Sequence, residues 1–129
     1  MTLLDTHAWI WWVNDPTQLS EGAKEAVDEA AAENSVYVSS ISAWEVAMLV
    51  SKGRLKLKVD AATWVSYSEA LSYLTFVPVN NRIAINSIAL SLHPDPADRL
   101  IVATALHLGS SIVTKDSKIA AYSGVKTVW

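Results

Sequence analysis

The chain has 129 residues, 51% of them hydrophobic and 18% charged, a length and composition that give one core-rich globular domain over residues 1–129 and exclude a disordered segment. It has no cysteine, which excludes disulfides, thiolate metal sites and a cysteine nucleophile. The net charge of −3 argues against nucleic-acid binding by bulk electrostatics alone, but not against a nuclease, because clustered acids can hold a cation that then meets phosphate. The apolar N-terminus is interrupted by Asp5 and His7 with no basic residue before it. It is read as neither a signal peptide nor a membrane span, and a cytoplasmic protein is expected.

In chain order, Thr2 to Leu4 is a short apolar run ending at Asp5, read as a buried first strand. His7 to Val13 reads as a short helix with Thr6 as its N-cap, closed by the turn signal Asn14-Asp15-Pro16. Ser20 caps a second helix through Ala32, with Glu21 in its first turn. Val36 to Val38 is a β-branched and aromatic second strand. A third helix follows from about Ile41 to Ser51, with Gly53 placed for a left-handed stop. Lys52, Arg54, Lys56 and Lys58 then alternate with Leu55 and Leu57.

Asp60 caps a fourth helix through about Leu71. Leu74 to Val79 is a strand candidate that Pro78 demotes to an edge or a strand end. Asn80 or Asn81 caps a helix to about Leu90. A Pro-rich turn at His93 to Pro96 leads to Asp98 and an apolar helix from Leu100 to Leu108, stopped by Gly109. Ser111 to Thr114 is a further strand with Asp116 at its far end, and a last short strand lies near Lys126 to Trp129. Strands alternating with helices over one compact length predict an α/β fold with a mainly parallel sheet.

Four acids fall at comparable places in this pattern. Asp5 ends the first strand, Glu45 lies in the first turns of the helix after the second, Asp98 starts the apolar helix, and Asp116 follows the next strand. With parallel strands all four share the carboxyl edge of the sheet, where open α/β sheets put their ligands. Each also has an ordinary reading. Asp98 suits a helix dipole, Ser42-Ala43-Trp44-Glu45 has the pattern of a capping box, and Asp116 before Ser117 is a plausible cap. Asp5 is the hardest to dismiss, having no local capping pattern beyond Thr6. Jointly, converging carboxylates repel one another unless a cation neutralises them. Hard oxygen ligands suit Mg²⁺ or Mn²⁺, and such a site hydrolyses phosphodiesters well. Spacing alone leaves both readings open.

At these residues the chain resembles the PIN-domain ribonucleases, most closely the VapC-type toxins of toxin–antitoxin pairs. The matches are Leu3-Leu4-Asp5-Thr6-His7, Ser39 to Val46 (SSISAWEV), Asp95 to Ala105 (DPADRLIVATA) and Val113-Thr114-Lys115-Asp116, in family order from end to end. The resemblance implies a three-layer PIN-like fold, a mainly parallel central sheet of four to five strands flanked by helices. It also implies Mg²⁺ or Mn²⁺ at the carboxyl edge, an RNA substrate cut endonucleolytically, and a cognate antitoxin that covers the groove, alone or with homodimerisation. By similarity Asp5, Glu45, Asp98 and Asp116 are the catalytic and metal-binding acids. Asp5 and Asp98 would hold the metal directly or through one water, Asp116 would complete the site, and Glu45 would bind the water shell or help deprotonate the attacking water. Asp95 is read as a turn residue between Pro94 and Pro96.

Thr6 and Thr114 are read as strand-end residues that could alternatively support the acids by hydrogen bonding. Arg99 is expected to pair with a neighbouring acid rather than to contact phosphate. His7, His93 and His107 lack metal-ligand spacing; His107 belongs to a helix face and His93 to the turn near the site. The basic run is read as a solvated loop more readily than as an RNA-backbone contact. Trp9, Trp11 and Trp12 cannot all point inward, so one or two are expected to be exposed, at a dimer or antitoxin surface more readily than for base stacking.

Three rival functions are weighed. An aspartate-nucleophile phosphohydrolase would want a second aspartate where His7 stands. A receiver-like signalling module would want paired acids after the first strand and a mid-chain acceptor aspartate. An RNA-binding module would not need the acids.

Overall fold

The structure is a computed structural model that describes residues 1–92 and 94–129; the turn assigned to His93 lies outside the described residues. Five strands form one parallel sheet: β1 (Thr2–Leu4), β2 (Val36–Ser39), β3 (Leu74–Val77), β4 (Ser111–Val113) and β5 (Thr127–Val128), in the order β3-β2-β1-β4-β5. Among the described residues seven α-helices connect them: α1 (Thr6–Asn14), α2 (Glu21–Ala32), α3 (Ser40–Ser51), α4 (Ala61–Glu69), α5 (Asn81–Ile88), α6 (Pro96–Leu108) and α7 (Ser117–Ala120). The α/β fold with a parallel sheet of five strands is as expected. No described helix is long and apolar enough to cross a membrane.

Side chains alternate across the pleat, so β1 serves both faces of the sheet. Leu4, Val36, Val38 and Val113 join Trp9, Ala23, Val27, Val46 and Trp64 on one side, while Leu3 and Ile112 join Ile101, Val102, Ala105 and Ile119 on the other. Helices therefore cover both faces, and Leu3, Leu4, Ile112 and Val113 of the two central strands are fully buried. β3 is an edge strand ending at Val77, just before Pro78, whose missing N–H cannot extend the ladder.

Several boundaries differ from the sequence reading, each for a local reason. α1 begins at Thr6 because Asp5, not Thr6, is the N-cap: its carboxylate accepts the Ala8 N–H at 2.8 Å. α6 begins four residues before Leu100, at Pro96, with Asp95 as N-cap accepting the Asp98 N–H at 3.1 Å. Proline suits the first helical position, where no N–H is needed. α3 is capped by Ser39, which places Glu45 inside the helix and removes the capping-box explanation of that residue. α4 and α5 end at Glu69 and Ile88, two residues short of the ends expected for them. Of the two caps expected for α5, Asn80 is the one used.

Two side-chain expectations are also corrected. Arg99 pairs with no acid among the described residues. Its guanidinium donates to the backbone carbonyls of Ser87 (3.1 Å), Leu90 (2.9 Å) and Leu92 (2.5 Å), tying the α5–α6 connection to the helix that carries Asp98. None of the three clustered tryptophans is fully exposed. Trp9 is buried and donates to Ser68, Trp12 donates to Tyr73, and Trp11 packs against His7 and Trp129. The exposed tryptophan is Trp44, on α3.

Arg99→Gln should lower stability by about 2 kcal/mol, because carbonyls of a half-buried turn lose a charged donor. Urea unfolding checks this, and a change below about 0.5 kcal/mol would show that water replaces the guanidinium at little cost.

Candidate active site

The parallel strands deliver their carboxyl ends to one edge, and the four acids singled out in the sequence all line one cavity there, of about 360 Å³. Asp5 follows β1 directly, and Asp116 stands three residues past the end of β4. Glu45 comes from the second turn of α3 and Asp98 from the first turn of α6. Asp95, assigned to a turn in the sequence reading, also lines the cavity, as do Lys115, His7 and Trp11. The signal for Asp95 was available: an aspartate followed by proline marks a helix N-cap, and an N-cap one turn before Asp98 must lie beside it.

Each acid is held by a different device. Asp5 is buried, accepting the Thr114 hydroxyl on one oxygen at 2.5 Å and the Ala8 N–H on the other. Glu45 is half-buried and accepts the hydroxyl of Thr6, which is also hydrogen-bonded to Ser42 at 2.9 Å. Asp116 caps α7, accepting the Lys118 N–H at 2.7 Å, while its own N–H donates to Thr114. The two threonines are thus more than strand-end residues: Thr114 links Asp5 to Asp116 and Thr6 links Asp5's helix to Glu45.

The electrostatics follow from crowding anions in a partly dry place. Burial raises the Asp5 pKa, against the Thr114 and Ala8 hydrogen bonds that favour its charged form. Burial also raises Glu45, opposed by Thr6 and reinforced by the Asp95 charge. Asp98 is pushed up to about 7, first by desolvation and then by the charges of Asp95, Asp116, Glu45 and Asp5. Among the described residues no three of these groups converge tightly enough to clasp one ion directly. They surround a space instead. The acids offer only carboxylate oxygens, a donor set that fits a small hard cation.

A PIN domain family model matches residues 2–125. The chain belongs to the PIN domain family. A ribonuclease of Mycobacterium tuberculosis, VapC22, is 34% identical over 98% of this chain and 97% of its own length. Among solved structures, VapBC2 of Rickettsia felis, crystallised with a DNA fragment from its promoter, superposes with a TM-score of 0.71 at 19% identity, covering 98% of this chain and 96% of that one. FitAcB of Neisseria gonorrhoeae gives 0.70 at 21% identity with the same coverage, and a toxin–antitoxin complex of Klebsiella pneumoniae gives 0.62 at 22% identity, covering 96% and 93%. At these identities the superpositions speak for the PIN fold.

The basic run does not reach this PIN-domain cavity: Lys56 and Lys58 line a different one, with Trp64 and Tyr67, while Leu55 and Leu57 pack on the core. His107 is an exposed residue in the last turn of α6, where a cation suits the helix dipole.

The Asp98 shift has a testable sign. Unfolded, the carboxyl titrates near 3.8; folded and metal-free, near 7. The folded state therefore holds an extra proton between those values. The stability this proton brings is complete below about pH 4 and is lost as the pH rises through about 7. Asp98→Asn, which cannot ionise, should gain about 1 kcal/mol relative to the wild type between about pH 4 and pH 8, a figure discounted because the group is half open to solvent. Urea unfolding with a chelator present measures it; a difference independent of pH would contradict the shift.

Proposed function

We propose that this chain is a Mg²⁺- or Mn²⁺-dependent endoribonuclease, a single PIN domain over residues 1–129, acting in the cytoplasm as the toxin of a toxin–antitoxin pair. The observation that carries the reading is the convergence of Asp5, Glu45, Asp95, Asp98 and Asp116 on one cavity at the carboxyl edge of the sheet. Family membership and the ribonuclease relative support the reaction class. The complexes among the structural relatives support an antitoxin as partner and a hetero-oligomer as the resting form.

Asp5 and Asp98 would hold the cation, directly or through one water. Asp5 is fixed by two hydrogen bonds and Asp98 by the first turn of a packed helix. Asp116, which also lines the cavity, would complete the site or orient a water. Glu45, kept in place by Thr6, takes the proton of the attacking water. A divalent cation bound here supplies the positive charge that offsets the scissile phosphate and acidifies water. Hydrolysis then forms one P–O bond from water and breaks another, and the leaving oxygen takes up a proton from solvent. Asp95 caps α6 and adds negative charge behind Asp98, which strengthens the demand for a cation.

Incubation with total RNA, with and without Mg²⁺ or Mn²⁺, tests this directly. The wild type should give fragments only with metal, and Asp5→Asn and Asp98→Asn should each lower the rate by at least about a hundredfold. Metal-independent cleavage, or cleavage retained by Asp98→Asn, would refute the assignment.

A further inference from the structure

A second cavity, of about 330 Å³, shares two walls with the acidic one: Glu45 and Asp95 line both. Its other walls are apolar. Ile41, Trp44 and Met48 form a stripe along α3 at the helical spacing that also carries Glu45, and Pro96 and Ala97 face them from the start of α6. Trp44 is 58% exposed, makes no ring contact and finds no hydrogen-bond partner for its indole N–H among the described residues. The other side of α3 is in the core through Val46, so packing does not require an indole at this position. A large aromatic surface is thus held in water beside the acids.

We propose that this cavity receives an unpaired nucleobase of the RNA, belonging to a nucleotide that flanks the cleaved phosphate, with Trp44 as its stacking surface. The proposal rests on the ribonuclease reading. In RNA the base of a flanking nucleotide lies within one backbone unit of the phosphate, so it needs a space contiguous with the acidic cavity, and this is such a space. The acidic rim repels backbone phosphates but not a neutral base, which is the part of the nucleotide able to lie against Glu45 and Asp95. A base inside a duplex has both faces covered and cannot enter a side cavity, so the nucleotide is in a loop, a bulge or a single strand. Because the walls other than the two acids offer only the Trp44 indole N–H as a side-chain donor, recognition is by stacking area more than by hydrogen-bond readout. The enzyme then demands a base at this position, tolerates its identity and favours purines.

The test uses a short RNA hairpin whose loop contains a cleavage site mapped with the wild type, and the same hairpin with abasic residues placed in turn on either side of that site. Trp44→Ala should lower kcat/KM on intact RNA by about tenfold or more, and Trp44→Phe should stay within about threefold of wild type. On the hairpin abasic at the recognised position, wild type and Trp44→Ala should become equal. In the cleavage-deficient Asp98→Asn background, Trp44→Ala should weaken hairpin binding by a similar factor, read by fluorescence anisotropy. Unchanged circular dichroism and melting temperature exclude misfolding as the cause.

The proposal is overturned if Trp44→Ala cleaves and binds like wild type, or if its defect persists undiminished on every abasic hairpin. A defect confined to neutralisation by a protein partner would also overturn it, assigning the groove to that partner. Absence of any wild-type cleavage is a separate result, which overturns the ribonuclease reading itself.

Discussion

The mutual repulsion of carboxylates gathered at one edge of the sheet is the constraint on which the rest of the molecule turns. Left to themselves, Asp5, Glu45, Asp95, Asp98 and Asp116 would separate into water. They are kept together by elements that are themselves anchored in the core, where burial first and the neighbouring charges second raise Asp98 to about 7, and burial raises Asp5 and Glu45. Anions held in this way are the ground for the proposed cation site, and a cation bound there would meet phosphate.

The anchoring is distributed over the whole fold. β1 and β4 are buried on both faces and fix where Asp5 and the Thr114–Asp116 corner stand. α6 contributes buried Ile101, Val102 and Ala105, so the turn bearing Asp98 is a rigid extension of the second core. Arg99 secures the preceding connection by donating to its backbone carbonyls, a role that uses its charge for structure. The two hydroxyls, Thr6 and Thr114, couple acids from separate elements, so that moving one acid disturbs its neighbour.

Much of this was legible in the sequence because it rests on local rules. The alternation of apolar runs and capped helices gave the parallel α/β sheet, and strand ends followed by acids gave the edge on which Asp5 and Asp116 stand. What escaped depended on competition between neighbouring residues. Asp5 and Thr6 can both cap α1, and only the fold shows that Asp5 does so while Thr6 turns to Glu45. Asp95 looked like part of a proline turn, yet the same proline begins α6 and brings Asp95 into the cavity. The tryptophans misled for a third reason. Partners far along the chain, Tyr73 for Trp12 and Trp129 for Trp11, absorb a crowded helix that sequence alone leaves without a place to turn. Trp44, which no local pattern singles out in the sequence, is the aromatic left in solvent beside the acids.

If the crowded carboxylates define the molecule, a divalent cation must bind the folded state more tightly than the unfolded chain. The direct measurement is the thermal unfolding midpoint against Mg²⁺ or Mn²⁺ concentration at constant ionic strength, for the wild type and for the Asp5→Asn/Asp98→Asn double variant. The midpoint of the wild type should rise steadily with the logarithm of metal concentration above its dissociation constant, and that of the double variant should stay flat from a higher metal-free value. Equal responses in the two proteins, or none in either, would contradict the account.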